Sequence, residues 1–149
     1  MDKNLMELVY LTPEYKLHLV EEDPVRAHLH KAWRIQNNRE VMALETDGVV
    51  DAVICVAYTD EVARDERDLQ ALYSAGITGS VAMFYTVWAY TPGAGRKMVH
   101  AAANEAKAKG AVRFVTLSPQ TEMARRFHLR NGAELISTNQ DTLNFEYTL

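Results

Sequence analysis

Apolar and polar residues alternate along the chain in stretches that mark out successive elements. Leu5–Leu11 is short and apolar, which predicts a strand closed by Thr12-Pro13. Glu14–Trp33 carries its apolar residues at helical spacing, and Pro24 after Glu22-Asp23 divides it into two expected helices. Glu40–Thr46 and Asp51–Thr59 read as strands around the turn signal Asp47-Gly48. Asp60–Ser74 is acidic, with Val62, Leu69 and Leu72 as the apolar positions of an expected helix. Val81–Tyr90 concentrates aromatic and β-branched residues, the composition of a central strand. Arg96–Lys109 sets Met98, Val99, Ala102, Ala103 and Ala106 on one helix face, and Gly110 stops it. Arg113–Leu117 reads as a strand, and Ser118-Pro119 as the N-cap and first residue of a helix ended by Gly132. Leu135–Thr138 and Thr142–Leu149 complete the sheet as a hairpin. The order predicts a mixed α/β fold, one domain over residues 1–149.

Composition narrows the class. A chain of 149 residues buries a core without covalent staples, and its one cysteine, Cys55, excludes a disulfide framework or a multi-cysteine metal site. Cys55 itself sits in Val53-Ile54-Cys55-Val56 and is expected in the core. His28 and His30, two apart, point to opposite sides of the helix expected there and share no metal. No apolar run approaches the roughly 20 residues that span a bilayer. Met1-Asp2-Lys3-Asn4 lacks the layout of a signal peptide, so a cytoplasmic protein is expected. Sixteen basic residues face twenty acidic ones, a poor balance for nucleic acid. Yet from Ala94 to Arg130 eight basic residues oppose only Glu105 and Glu122. That concentration suits one small polyanionic ligand; solvated helix faces are the plainer alternative.

Chemistry concentrates first in the turn Thr91-Pro92-Gly93-Ala94-Gly95. It joins an expected strand to an expected helix, where backbone amides hold phosphate well. Gly93 and Gly95 permit close approach, and Arg96 and Lys97 add charge. A tight strand-to-helix turn with no ligand is the alternative. It is neither a Rossmann fingerprint, which needs a third glycine, nor a Walker loop, which needs Gly-Lys-Ser/Thr.

Tyr90-Thr91-Pro92-Gly93-Ala94-Gly95 resembles the Gln/Arg-x-x-Gly-x-Gly/Ala turn of the GNAT acyltransferases, with Tyr90 at the Gln/Arg position. The resemblance implies a GNAT-like, mainly antiparallel twisted sheet flanked by helices, with acyl-CoA as substrate and no metal. The pyrophosphate would rest on Gly93, Ala94, Gly95, Arg96 and Lys97, and the pantetheine arm would lie beside Val87, Trp88 and Ala89. Phe127-His128-Leu129-Arg130-Asn131-Gly132-Ala133 is similar to the Phe-His-Leu-x-Asn-Gly-Ala of malonyl-CoA decarboxylases. Thr116-Leu117-Ser118-Pro119 matches their Thr-Leu-Ser-Pro, and Asn144-Phe145-Glu146-Tyr147 is similar to their closing Asn-Tyr-x-Tyr. This narrower resemblance implies that Ser118 holds a malonyl carboxylate and His128 supplies a proton to the α-carbon. Two further readings stand beside it. One is an N-acetyltransferase in which His128 replaces that family's usual tyrosine; the other is a CoA-fold binding or structural module without turnover.

Overall fold

Asp47 and Gly48 both take positive φ, 51° and 79°, and so form the two-residue turn that joins β2 (Arg39–Thr46) to β3 (Val49–Thr59). This hairpin is the middle of the sheet's first half. The computed structural model describes residues 5–73 and 79–148, which excludes Met1–Asn4 and the last residues of the expected segments Asp60–Ser74 and Thr142–Leu149. β1 (Glu7–Tyr10) pairs with β2, and β4 (Val81–Ala89) with β3, all antiparallel. α2 (Ala94–Ala108) then crosses over to β5 (Arg113–Thr116), which runs parallel to β4. β6 (Ser118–Pro119), α3 (Glu122–Arg130), β7 (Glu134–Thr138) and β8 (Thr142–Tyr147) follow. The strand order is β1-β2-β3-β4-β5-β8-β6, with β7 also on β8. The expected mixed, mainly antiparallel sheet flanked by helices is therefore what the chain forms. Among the described residues no helix is long and apolar enough to cross a membrane.

The sheet buries both faces. On one, Met98, Val99, Ala102, Ala103 and Ala106 of α2 meet Met42, Ile54, Val56 and Phe84 of the strands, so the expected apolar stripe is the buried one. Phe145 and Tyr147 of β8 extend this layer beneath α3. On the other face Val53, Cys55, Met83, Tyr85 and Val115 pack with Leu17 and Val20, and Cys55 is fully buried.

Four expected helices are altered: in the first three, side chains claim the backbone groups a helix would use, and at the start of the fourth a neighbouring strand does. Glu14–Trp33 holds no α-helix, only a 3-10 turn at Leu17–Glu22, followed by a second at Trp33–Ile35. The Asp23 carboxylate accepts from the amides of Val25 and Arg26, and the Arg34 guanidinium takes the carbonyls of Arg26 and Leu29. With the helix gone, His28 bonds Glu66 at 2.8 Å and the His30 ring accepts from the Ala32 amide at 3.0 Å. Asp60–Ser74 is helical only at α1 (Asp68–Ala71). There the carbonyls of Ala63 and Arg64 accept from Asn144 and Thr142 of β8. Ser118 is not a helix cap: Ser118 and Pro119 pair with Leu143 and Thr142, and Thr121 caps α3, its hydroxyl accepting from the Ala124 amide at 3.2 Å.

Candidate functional site

β4 and β5 stay together for four residue pairs only, Val81–Phe84 against Arg113–Thr116. The Leu117 amide still reaches the Phe84 carbonyl at 2.9 Å. Beyond it β4 continues to Ala89, while the following strand, β6, pairs with β8 instead. The sheet therefore opens at its centre. A bulge opposite Cys55 marks the place: Val56 pairs with Phe84 and Cys55 with Thr86, which leaves Tyr85 as the extra residue. Past the bulge Val87 lies over the α2 layer, Trp88 on the opposite face, and Ala89 in the open.

At the far end of β4 the chain enters α2 through Gly93, whose φ of 81° is one that glycine adopts without cost. No side chain caps this helix, so the amides of Gly95 and Arg96 are among those it cannot satisfy from within. A cavity of about 560 Å³ lies here, between the turn that carries Tyr90, Gly93 and Arg96 and the end of α3 with Phe127, Arg130 and Asn131. Asn131 Nδ2 is buried without a hydrogen-bond partner. Gly95 has a second, structural reason to be glycine: a Cβ there would stand 3.1 Å from Phe127 Cε1. Ala94 is buried and Lys97 points to solvent, so of the expected turn residues Gly93, Gly95 and Arg96 line the cavity. A second cavity of about 480 Å³, near Val81, is lined by Asp60, Glu61 and Asp68 against Arg64 and Arg113, a poorer balance for an anion.

Ser118 and His128 are not spaced along one helix, because the chain bends between Pro119 and Thr121. Ser118 stands opposite Leu143 and His128 against Phe145 and Tyr147, so both side chains lie on the α2–α3 face of the sheet. No hydrogen bond joins them. The Ser118 hydroxyl pairs with that of Thr116 at 2.8 Å, and Thr116 also accepts from the Phe145 amide. His128, 5% exposed, packs its ring against Phe145 and shares a 2.7 Å hydrogen bond with the Tyr147 hydroxyl through Nδ1. Nε2 has no protein partner among the described residues. Burial pushes the His128 pKa down to about 4, so the ring is neutral at pH 7 rather than poised near its ordinary value. The same cause raises the Tyr147 hydroxyl.

Sequence reasoning did not single out Arg130, Asn131 or Tyr147 as site residues, although all three stand in motifs it quoted. It also missed the opposite side of the bulge, where Arg26 and Arg34 are buried; neither carries a sequence signal. Among the described residues, His, Cys, Asp and Glu nowhere gather in threes that could hold a metal.

An open-centred sheet of this order, with a helix starting beside the opening, is the GNAT fold. No protein-family model matches the sequence, and no curated protein does. Among solved structures, the malonyl-CoA decarboxylase of Cupriavidus metallidurans superposes with a TM-score of 0.68 at 16% identity, over 97% of this chain and 61% of that one. The decarboxylase of Agrobacterium vitis gives 0.66 at 19%, over 85% and 37%. The PaiA N-acetyltransferase of Thermoplasma acidophilum, in complex with coenzyme A, gives 0.65 at 15%, over 97% and 99%. This chain thus spans less than two thirds of either decarboxylase, and at such identities the likeness is one of fold.

Proposed function

We propose that this chain is an acyl-CoA enzyme and that its reaction is decarboxylation of malonyl-CoA or a close relative. The observation that carries the reading is the parting of the sheet after Phe84, with Ser118 and His128 on one face of the opening. The arginine-lined cavity at the start of α2 would receive the pyrophosphate, and Val87, Trp88 and Ala89 the pantetheine arm. Arg96 and Arg130 supply charge, and the α2 amides supply donors. In the reaction the bond from the carboxylate to the α-carbon breaks, carbon dioxide leaves, and the electron pair enters the thioester enolate. The Ser118 hydroxyl, braced by Thr116, holds the carboxylate. With the Tyr147 hydroxyl donating to Nδ1, the proton of the neutral His128 ring sits on Nε2, its free nitrogen. Transfer of that proton to the α-carbon, with replacement from solvent, gives acetyl-CoA.

The N-acetyltransferase reading has one observation in its favour: this chain matches the PaiA structure over almost its whole length. Against it, an imidazole whose pKa lies near 4 is a weak base for an ammonium acceptor. Incubation with malonyl-CoA and with acetyl-CoA, followed by mass analysis, separates the readings. Acetyl-CoA formed from malonyl-CoA, and reduced about 10²- to 10⁴-fold in His128→Phe, is the expected result. Free CoA released from acetyl-CoA only when amines are added would replace decarboxylation by acyl transfer. Binding without either product would leave a module without turnover.

A further inference from the structure

On the sheet face opposite His128, beside the β4 bulge, lies a buried cluster of charges that this chemistry does not use. Arg26, 3% exposed, ends on the β4 bulge: its Nη1 donates to the Tyr85 carbonyl and lies 3.4 Å from Thr86 Oγ1. Nε donates to Glu66 at 3.0 Å, a carboxylate on the rim that also holds His28. Nη2 has no partner among the described residues. The nearby Asp23 carboxylate is committed to Arg34, which is wholly buried and bonds it at 2.7 Å. Arg26 is thus a buried cation in direct contact with one carboxylate, Glu66, which is partly in water, while Asp23 acts on it from farther off.

Its position fixes what it would meet. From Ala89 back to Tyr85 is about 13 Å of strand at about 3.3 Å per residue. That is the order of reach of an extended pantetheine arm whose phosphates rest at Gly93. The thioester end of an arm lying along Val87–Ala89 would approach the bulge that Arg26 contacts.

We infer that Arg26 determines the acyl group, meeting from the opposite face of the sheet the carboxylate that Ser118 holds: it selects thioesters of dicarboxylic acids, with a free carboxylate on a short acyl chain, over uncharged acyl groups of the same length. The inference rests on the acyl-CoA reading above and names a residue that sets its choice of acyl group. A guanidinium suits a carboxylate because its planar fork offers paired donors. Decarboxylation moves the negative charge only from the carboxylate to the thioester oxygen, so a cation beside both attracts substrate and enolate alike. Its loss is therefore read in binding far more than in turnover.

The test is calorimetric titration with CoA, propionyl-CoA and malonyl-CoA, two thioesters matched in chain length. It is carried out in the His128→Phe background, which keeps the malonyl thioester intact. Arg26→Gln is expected to weaken malonyl-CoA about ten- to a hundredfold, the scale of a charged hydrogen bond, and to leave propionyl-CoA within about twofold. Arg26→Lys should recover much of the difference. Glu66→Gln removes the offsetting carboxylate without touching the bulge, so malonyl-CoA should bind more tightly. Equal losses for both thioesters in Arg26→Gln, with no change in Glu66→Gln, would show that Arg26 only braces the bulge and would overturn the assignment. Equal affinity of the parent protein for both thioesters would also overturn it, with the acyl-CoA reading intact. Failure of the parent to bind even CoA would remove both.

Discussion

Replacing His128 with phenylalanine should change how stability depends on pH, by an amount the burial of the ring sets. An unfolded histidine titrates near 6.5, whereas in the fold burial holds His128 near 4. Between these values the unfolded chain binds the extra proton and the folded one does not, so stability falls as pH falls. The contribution is fully present above about pH 6.5. At about 1.36 kcal/mol per unit it is reduced by about 2 kcal/mol at pH 5 and about 3 kcal/mol at pH 4. Against a typical domain stability of about 5–15 kcal/mol, that is a large share. Urea unfolding of the wild type and of His128→Phe at pH 7.5, 6 and 5 isolates the effect, because carboxylate contributions are common to both. The wild type should lose about 2 kcal/mol more than the variant over this range. Parallel curves would mean that the ring takes up its proton in the folded protein, and the neutral-histidine argument would fall with them.

Other consequences are as direct. Asp23→Ala leaves the Arg34 guanidinium buried without its carboxylate, which should cost about 3–5 kcal/mol and lower the melting temperature markedly. Gly95→Ala should cost about 1–3 kcal/mol by crowding the Phe127 ring, and Phe127→Leu in the same chain should restore part of it; additive losses would refute the contact. Arg96→Ala with Arg130→Ala should weaken CoA binding and flatten its dependence on salt, whereas an unchanged calorimetric affinity would move the phosphates elsewhere.

The strands were legible because their signals are local. The Asp47-Gly48 turn, the aromatic run of β4 and the alanine-rich face of α2 each specify themselves within about a dozen residues. The stretch before Trp33 was not, since its conformation is decided by Arg34 reaching back to carbonyls five and eight residues earlier. Ser118-Pro119 carried a good helix-start signal, yet pairing with β8 claimed those residues and Thr121 took over the cap. The glycine turn could be read as a phosphate cradle, but the tie between Gly95 and Phe127 spans 32 positions and leaves no trace in sequence spacing. His128 could be named from its motif; its low basicity depends on Phe145 and Tyr147, which only the folded sheet brings against it.

The last strand in chain order has an outsized share of the connections. β8 supplies the pairing partners of β5, β6 and β7, the hydroxyl that holds His128, and, through Asn144, bonds to the carbonyls of Ala63 and Thr116. During synthesis β1–β4 and α2 can associate before β8 emerges, because their mutual contacts lie on its N-terminal side. β5 already has β4, but β6 and His128 must wait for β8. A chain cut short before it would retain the glycine turn but have no second wall to the opening. Without β8, Phe114 loses its partner Tyr147 and His128 loses both Phe145 and Tyr147, so the far wall of the opening and its histidine depend on one strand.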